Sequence, residues 1–130
     1  MQSNLLENVR AGGRHWATQK VIASLRGDPS LGCKQLADDV GLSLSRVARV
    51  FKSDTGVSIV QYRNALRFER LLALATGPEA RSTPLRDLAR NAGFGSAAHF
   101  YRLAQRAWGM SPHRYLRGRA APPDDERRAR

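Results

Sequence analysis

A single cysteine, Cys33, stands in 130 residues, so an intramolecular disulfide and a thiolate metal cluster are both excluded. The three histidines, His15, His99 and His113, lie far apart and share no ligand spacing, so no metal site is expected. No run of eighteen apolar residues occurs, which excludes a membrane-spanning helix. The opening Met1-Gln2-Ser3-Asn4 lacks a basic stretch followed by an apolar one, so no secretory signal is read and a cytoplasmic protein is expected. There is no serine, histidine and acid arrangement of a catalytic triad and no glycine loop that would cradle a phosphate. No catalytic residues, no cofactor and no enzyme activity are expected. Strand-type alternation between turn signals is also missing, which leaves an all-α chain.

Acidic residues are the other scarcity. Lysine and arginine number 22 against 11 aspartates and glutamates, a net charge of +11. Charges cancel over residues 1–13 and again over 120–130, so the excess sits in 14–119. Between Asp87 and Asp124 there is no acid, while Arg90, Arg102, Arg106, Arg114, Arg117 and Arg119 fall inside that interval. A compact basic domain attracts polyanions through its long-range field and through counterion release. A solvated arginine-rich surface is the bland alternative.

What the chain does have is a repeat. Cys33, Leu36, Ala37, Gly41 and Leu42 return 52 residues later as Leu85, Leu88, Ala89, Gly93 and Phe94. From the next serine the offset is 53: Ser43, Val47, Arg49, Phe51, Gly56, Ser58 and Tyr62 return as Ser96, Phe100, Arg102, Ala104, Gly109, Ser111 and Tyr115. The slip falls in a turn, Gly41-Leu42-Ser43 against Gly93-Phe94-Gly95-Ser96. An extra residue is tolerated in a loop but would rotate a helical face, so a whole supersecondary unit is duplicated. Cys33 occupies the position of Leu85 and is expected to act as a small buried hydrophobe.

Periodicity and punctuation divide the chain. A helix is predicted over residues 14–26, with Ala17, Val21, Ile22 and Leu25 on one face, stopped by Gly27-Asp28-Pro29. A short helix over 33–40 ends at Gly41. Ser43 caps a helix over 44–55, and Ser58 caps a long one reaching 75, with Tyr62, Leu66, Leu71 and Leu74 as core positions. Thr83 as cap and Pro84 at the first position open a helix to 92. Ser96 caps a helix to 108, and Ser111-Pro112 starts the last, carrying Tyr115 and Leu116. The expected organisation is about seven helices: a lead segment 1–13, a first helix-turn-helix subdomain 14–57, a linking helix 58–76, a second subdomain 77–117 and a disordered tail 118–130.

In a helix-turn-helix a small residue lets the second helix cross the first, a glycine makes the turn and an apolar residue plugs the joint. Ala37, Gly41 and Val47 meet these demands, as do Ala89, Gly93 and Phe100. On the first reading helix Val47, Val50, Phe51 and Asp54 share a side, while Ser45, Arg46, Ala48, Arg49 and Lys52 project from the other. A major groove admits an α-helix, and arginine grips guanine O6 and N7 with two hydrogen bonds. Arg46 and Arg49 are therefore the candidate base readers. The second reading helix turns Phe100, Leu103, Ala104 and Ala107 inward and Ala97, Ala98, Tyr101, Arg102 and Gln105 outward. Alanine can touch only a thymine methyl, so discrimination by hydrogen bonds falls to Arg102, Tyr101 and Gln105. Ser43, Lys52, Ser96, Gln105 and Arg106, with the helix N-termini, are the candidate phosphate contacts. Trp16 and Trp108 are expected to fill core or interface, and Arg67 to pair with Asp38, Asp39 or Asp87.

These residues resemble the AraC/XylS-type transcriptional regulators over roughly 14–117. The likeness is carried by Leu36-Ala37, Val40-Gly41-Leu42-Ser43, Arg49-Val50-Phe51-Lys52, Gly56-Val57-Ser58 and Tyr62 with Arg67. In the second half it lies in Asp87-Leu88-Ala89, Gly93-Phe94-Gly95-Ser96, His99-Phe100-Tyr101-Arg102 and Gly109-Met110-Ser111-Pro112 with Tyr115, the family's signature region. The resemblance implies two helix-turn-helix subdomains joined by the long helix, with reading helices entering adjacent major grooves roughly 34 Å apart. It implies base-facing Ser45, Arg46, Ala48 and Arg49, then Ala97, Ala98, Tyr101 and Arg102. Two departures stand out: Ala104 replaces an aromatic, and Leu71 replaces a small residue in the linking helix.

The expected function is sequence-specific binding of double-stranded DNA by a transcriptional regulator, an activator associated with the bacterial nucleoid, with DNA and RNA polymerase as partners and no membrane. A helix-turn-helix protein-interaction module and a non-specific nucleic-acid binder are the rivals. About thirteen residues precede the first helix, so the chain is either a stand-alone regulator or a fragment of a longer one.

Overall fold

The computed structural model describes residues 5–7, 9 and 15–120. All regular structure among them is helical: α1 Trp16–Gly27, α2 Cys33–Val40, α3 Leu44–Thr55, α4 Ile59–Ala75, α5 Leu85–Asn91, α6 Ala97–Trp108 and α7 Pro112–Ala120, with a 3₁₀ turn at Pro78–Arg81. Residues 5–7 and 9 are helical too. The chain divides into two compact units, Met1–Arg70 and Leu71–Arg130, with the division inside α4.

In the first unit α1, α2 and α3 pack on one another around Val21, Leu25, Leu36, Val47 and Phe51, all essentially without exposure. Leu6 and Val9 are buried in this same core, so the weakly patterned lead segment contributes to it. His15 caps α1 by accepting the Ala17 N–H on Nδ1 at 3.1 Å, and its own N–H donates to Asp54 Oδ2 at 2.9 Å. That second bond fastens the start of α1 to the last turn of α3. The expected start at residue 14 lies outside the described residues.

Three arginines on one face of α4 hold the last turn of α1 and the loop that leads from it to α2. Arg63 Nη1 donates to the Leu31 carbonyl at 3.2 Å, Arg67 Nε to Pro29 at 2.7 Å and Arg70 Nη2 to Arg26 at 3.3 Å. Their spacing of four and three residues keeps them on a single stripe. Arg67 thus bonds a carbonyl of the first unit, and the Asp28 carboxylate acts on its charge. Burial, then the neighbouring charge of Arg63, lowers the Arg67 pKa to about 10. Asp28 is lowered chiefly by the Ser30 hydroxyl at 2.6 Å, then by the Ser30 N–H, with smaller contributions from Arg70 and Arg67. Cys33 is half-buried rather than buried, packed against the edge of the core with Arg63 Nη1 3.8 Å from its sulfur.

The second unit packs α5 and α7 on α6. Its core is aromatic. Phe100 meets Phe94 at 5.0 Å and Trp108 edge-on at 6.5 Å, and Trp108 stacks on Tyr115 at 4.1 Å with an 8° interplanar angle. This accounts for Ala104. In the first copy Phe51 lies 5.8 Å from Tyr62; in the second the aromatic partner of Tyr115 is Trp108, one helical turn beyond Ala104. Leu71 is fully buried.

Four expectations shift here. Pro84 is itself the cap of α5, its carbonyl accepting from Asp87 and Leu88, and α5 ends at Asn91. Gly118 and the two residues after it extend α7 instead of opening a tail, and residues 121–130 lie outside the described region. Ala107 is exposed although it lies on the stripe set by Phe100 and Ala104, in the last turn of α6. Trp16 is 56% exposed, because the first turn of α1 projects it away from the side that buries Ala17 and Val21, so of core and interface it does not fill the core.

Candidate nucleic-acid interface

The two turns are built by the same hydrogen bonds. At the first, Leu42 N–H donates to the Ala37 carbonyl and Gly41 N–H to Asp38, both at 3.1 Å. At the second, Phe94 N–H donates to Ala89 at 3.1 Å and Gly93 N–H to Arg90 at 3.0 Å. This pair of bonds closes the end of a helix on a left-handed residue. Gly41 (φ 74°) and Gly93 (φ 112°) take that conformation, which a Cβ would strain. Ala37 and Ala89, both buried, leave room for the crossing helix above them.

Each turn delivers the chain to a serine cap. Ser43 Oγ accepts from Arg46 N–H at 3.1 Å, and Ser96 Oγ accepts from His99 N–H at the same distance. The helices that follow bury Val47 and Phe51, and Phe100 and Ala104, at matching positions. Their opposite faces are thereby turned to solvent. Serines repeat the device one element later. Ser58 Oγ accepts from Gln61 N–H at 3.0 Å while Gln61 Oε1 accepts the Ser58 N–H at 2.9 Å, and Ser111 Oγ accepts from Arg114 N–H at 3.3 Å. Ser58 and Gln61 thus form a reciprocal capping box that fixes the entry of α4.

On α3 Ser45, Arg46, Ala48, Arg49 and Lys52 are all exposed, with Ser43 exposed at the cap. Arg46 and Arg49, three residues apart, present two guanidinium groups on one stripe. On α6 Ala98, Arg102, Gln105 and Arg106 are exposed, with Ser96 exposed at the cap; Ala97 and Tyr101 are half-buried. Tyr101 is held from the side. Its ring lies 5.3 Å from Phe100, and its hydroxyl shares a 3.4 Å hydrogen bond with His113 Nε2 on α7. That restraint has no counterpart on α3, where the matching residues are Ala48 and Val60. Sequence reasoning set His113 aside as a poor metal ligand, and a lone histidine carries no signal for a tyrosine partner. Among the described residues no group of three histidines, cysteines or carboxylates is placed to hold a metal. No helix of the described residues is long and apolar enough to cross a membrane.

A family model described as a helix-turn-helix domain matches residues 36–118, which takes in both turns and both exposed stripes. The chain belongs to the AraC/XylS-type helix-turn-helix family. Among its relatives is the HTH-type transcriptional activator RhaS of Escherichia coli O157:H7 (strain EC4115 / EHEC), 34% identical over 84 residues, 65% of this chain and 29% of the relative. RhaS of Escherichia coli strain K12 / DH10B matches with the same identity and coverage. The chain thus spans under a third of the length of these relatives. No solved structure gives a significant match. The matched span takes in α5, α6 and most of α7, with the caps Ser96 and Ser111 and the Trp108–Tyr115 stack.

Proposed function

We propose that this chain is a sequence-specific double-stranded DNA-binding module of a transcriptional regulator, with α3 and α6 as its reading helices. The observation that carries the proposal is the duplicated turn, closed each time by the same two backbone hydrogen bonds, that leads into a helix with a buried apolar side and an exposed basic one. Arg46 and Arg49 read base edges from α3, supported by Ser45 and Ala48 at the groove. Arg102 is the principal reader on α6, with Ala97 and Ala98 in apolar contact and Tyr101 oriented by His113. Ser43, Lys52, Ser96, Gln105 and Arg106 hold phosphates. The working division is a helix-turn-helix subdomain over 14–57, a linking helix over 58–76 and a second subdomain over 77–117.

Similarity to a protein named as a transcriptional activator supports activation, and with it contact to RNA polymerase, in the cytoplasm of a bacterial cell. The basic reading faces count against a protein-interaction module, since acidic or apolar faces would suit that role better. A non-specific binder would not need two different sets of outward side chains.

Selection of bound duplexes from a randomised pool tests the proposal. A single chain carrying two unlike reading helices should enrich an asymmetric site and bind it as a monomer, with unrelated duplex competing poorly. Enrichment of no sequence would favour the non-specific binder, and a palindrome bound only by dimers would contradict the two-headed monomer.

A further inference from the structure

We propose that a cavity lying wholly within the second unit binds a small amphipathic carboxylate, an apolar body carrying one anionic head. The cavity has a volume of about 1050 Å³, at the upper end of the range typical of small-molecule sites. Leu85 and Leu88 of α5 and Leu116 of α7, all largely buried, form its apolar floor. Arg81 from the 3₁₀ turn and His113 and Arg117 from α7 line it as well, and all three are exposed at the mouth. His113 and Arg117 are four residues apart and Leu116 three from His113, so one face of α7 supplies both head-group and floor contacts.

The charge pattern selects the ligand. Among the residues whose side chains are described, which leaves out Glu79, the charged groups lining the cavity are all basic, and no acidic partner is recorded for Arg81 or Arg117. Guanidinium groups grip a carboxylate with paired hydrogen bonds, and two of them from separate elements can close on one head group. An inorganic anion would leave the leucine floor unused, and an uncharged hydrocarbon would leave the arginines without a partner. Only a molecule with both parts uses the whole site. His113 also holds the Tyr101 hydroxyl on α6, so occupation of the cavity reaches the outward face of that helix. The binding itself does not depend on the DNA-reading assignment.

Titration of the chain with octanoate and with octanamide, followed by the methyl signals of Leu85, Leu88 and Leu116, tests this. Octanoate should shift these signals saturably and bind at least about tenfold more tightly than its uncharged amide, as loss of a charge-assisted pair requires. The exposed pair Arg81→Gln with Arg117→Gln should lose about the same factor while keeping the parent's helical content and Tm. The Tyr101 ring signals should move with the leucines at one midpoint. Equal binding of octanamide, or octanoate shifts scattered over the basic surface around Arg46 and Arg49, would overturn the site. Tyr101 signals that stay fixed while the leucines titrate would overturn its connection to α6.

Discussion

Arg67 Nε donates a 2.7 Å hydrogen bond to the carbonyl of Pro29, thirty-eight residues earlier in the chain, and only 6% of Arg67 is exposed. Arg63 flanks it on the Leu31 carbonyl of the same loop, and Arg70 on the Arg26 carbonyl in the last turn of α1. The guanidinium is charged through the neutral range, since its pKa falls only to about 10, from burial first and then from Arg63. For a base lowered in this way the folded state holds its proton less firmly than the unfolded state does. Its stabilising contribution is complete only above the usual guanidinium range and is lost as pH falls through about 10, so it adds no pH slope near neutrality.

The first prediction follows. Arg67→Ala removes the donor and leaves the Pro29 carbonyl buried without it, which should destabilise the first unit by about 2 kcal/mol. In denaturant titrations the difference from the parent should stay flat between about pH 6 and 9, since no titration of this group falls there. A stability unchanged by the substitution would show that the arginine stripe is not what holds the α1–α2 loop.

Gly41→Ala tests the turn. A Cβ at Gly41 would meet no atom within 4 Å, so its effect is conformational: a residue with a side chain must adopt φ near 74°. The expected loss is about 1–2 kcal/mol, and Gly41→Asn should lose less because asparagine tolerates the left-handed region. Thermal unfolding of the two variants gives the order. An alanine variant as stable as the parent would mean that the turn can be made another way.

Much of this arrangement can be found in the sequence, for identifiable reasons. The exposure of Ser45, Arg46, Ala48 and Arg49 follows from a 3.6-residue period around Val47 and Phe51, and the caps Ser43, Ser58, Ser96 and Ser111 follow from their position after a turn. What escaped reading is non-local. A carbonyl acceptor such as Pro29 leaves no mark on residue choice, so the partner of Arg67 could not be named. Ala104 suggested a gap because the compensating ring, Trp108, sits one turn away and acts through Tyr115. The hold of His113 on Tyr101 is of the same kind: it needs two helices placed side by side, which periodicity within one helix cannot report.

Salt dependence separates groove binding from other roles. With the +11 charge concentrated on the helical region, affinity for duplex should fall roughly 10³-fold or more between about 50 and 200 mM salt if about six phosphates are contacted. Fluorescence anisotropy on one labelled duplex across that range is sufficient. An affinity that barely moves would remove DNA tracking and restore the protein-interaction module.

The last prediction distinguishes reading from holding. Arg46 and Arg49 place two forked donor groups on the exposed stripe of α3, whereas the corresponding face of α6 carries Ala97, Ala98 and one arginine, Arg102. Loss of a bidentate arginine–guanine contact costs about 1–3 kcal/mol and relaxes the preference at that base pair alone. Arg49→Ala should therefore flatten specificity within one part of the site and leave the rest sharp. Arg106 is exposed in the last turn of α6, one turn beyond Arg102, and is proposed to hold a phosphate. Arg106→Ala should weaken all sequences alike and reduce the salt slope by about one unit. Binding-site selection on both variants, beside the parent, resolves the two effects. If Arg49→Ala kept every base preference while Arg106→Ala lost some, α3 and α6 would be meeting the duplex through other faces than those proposed.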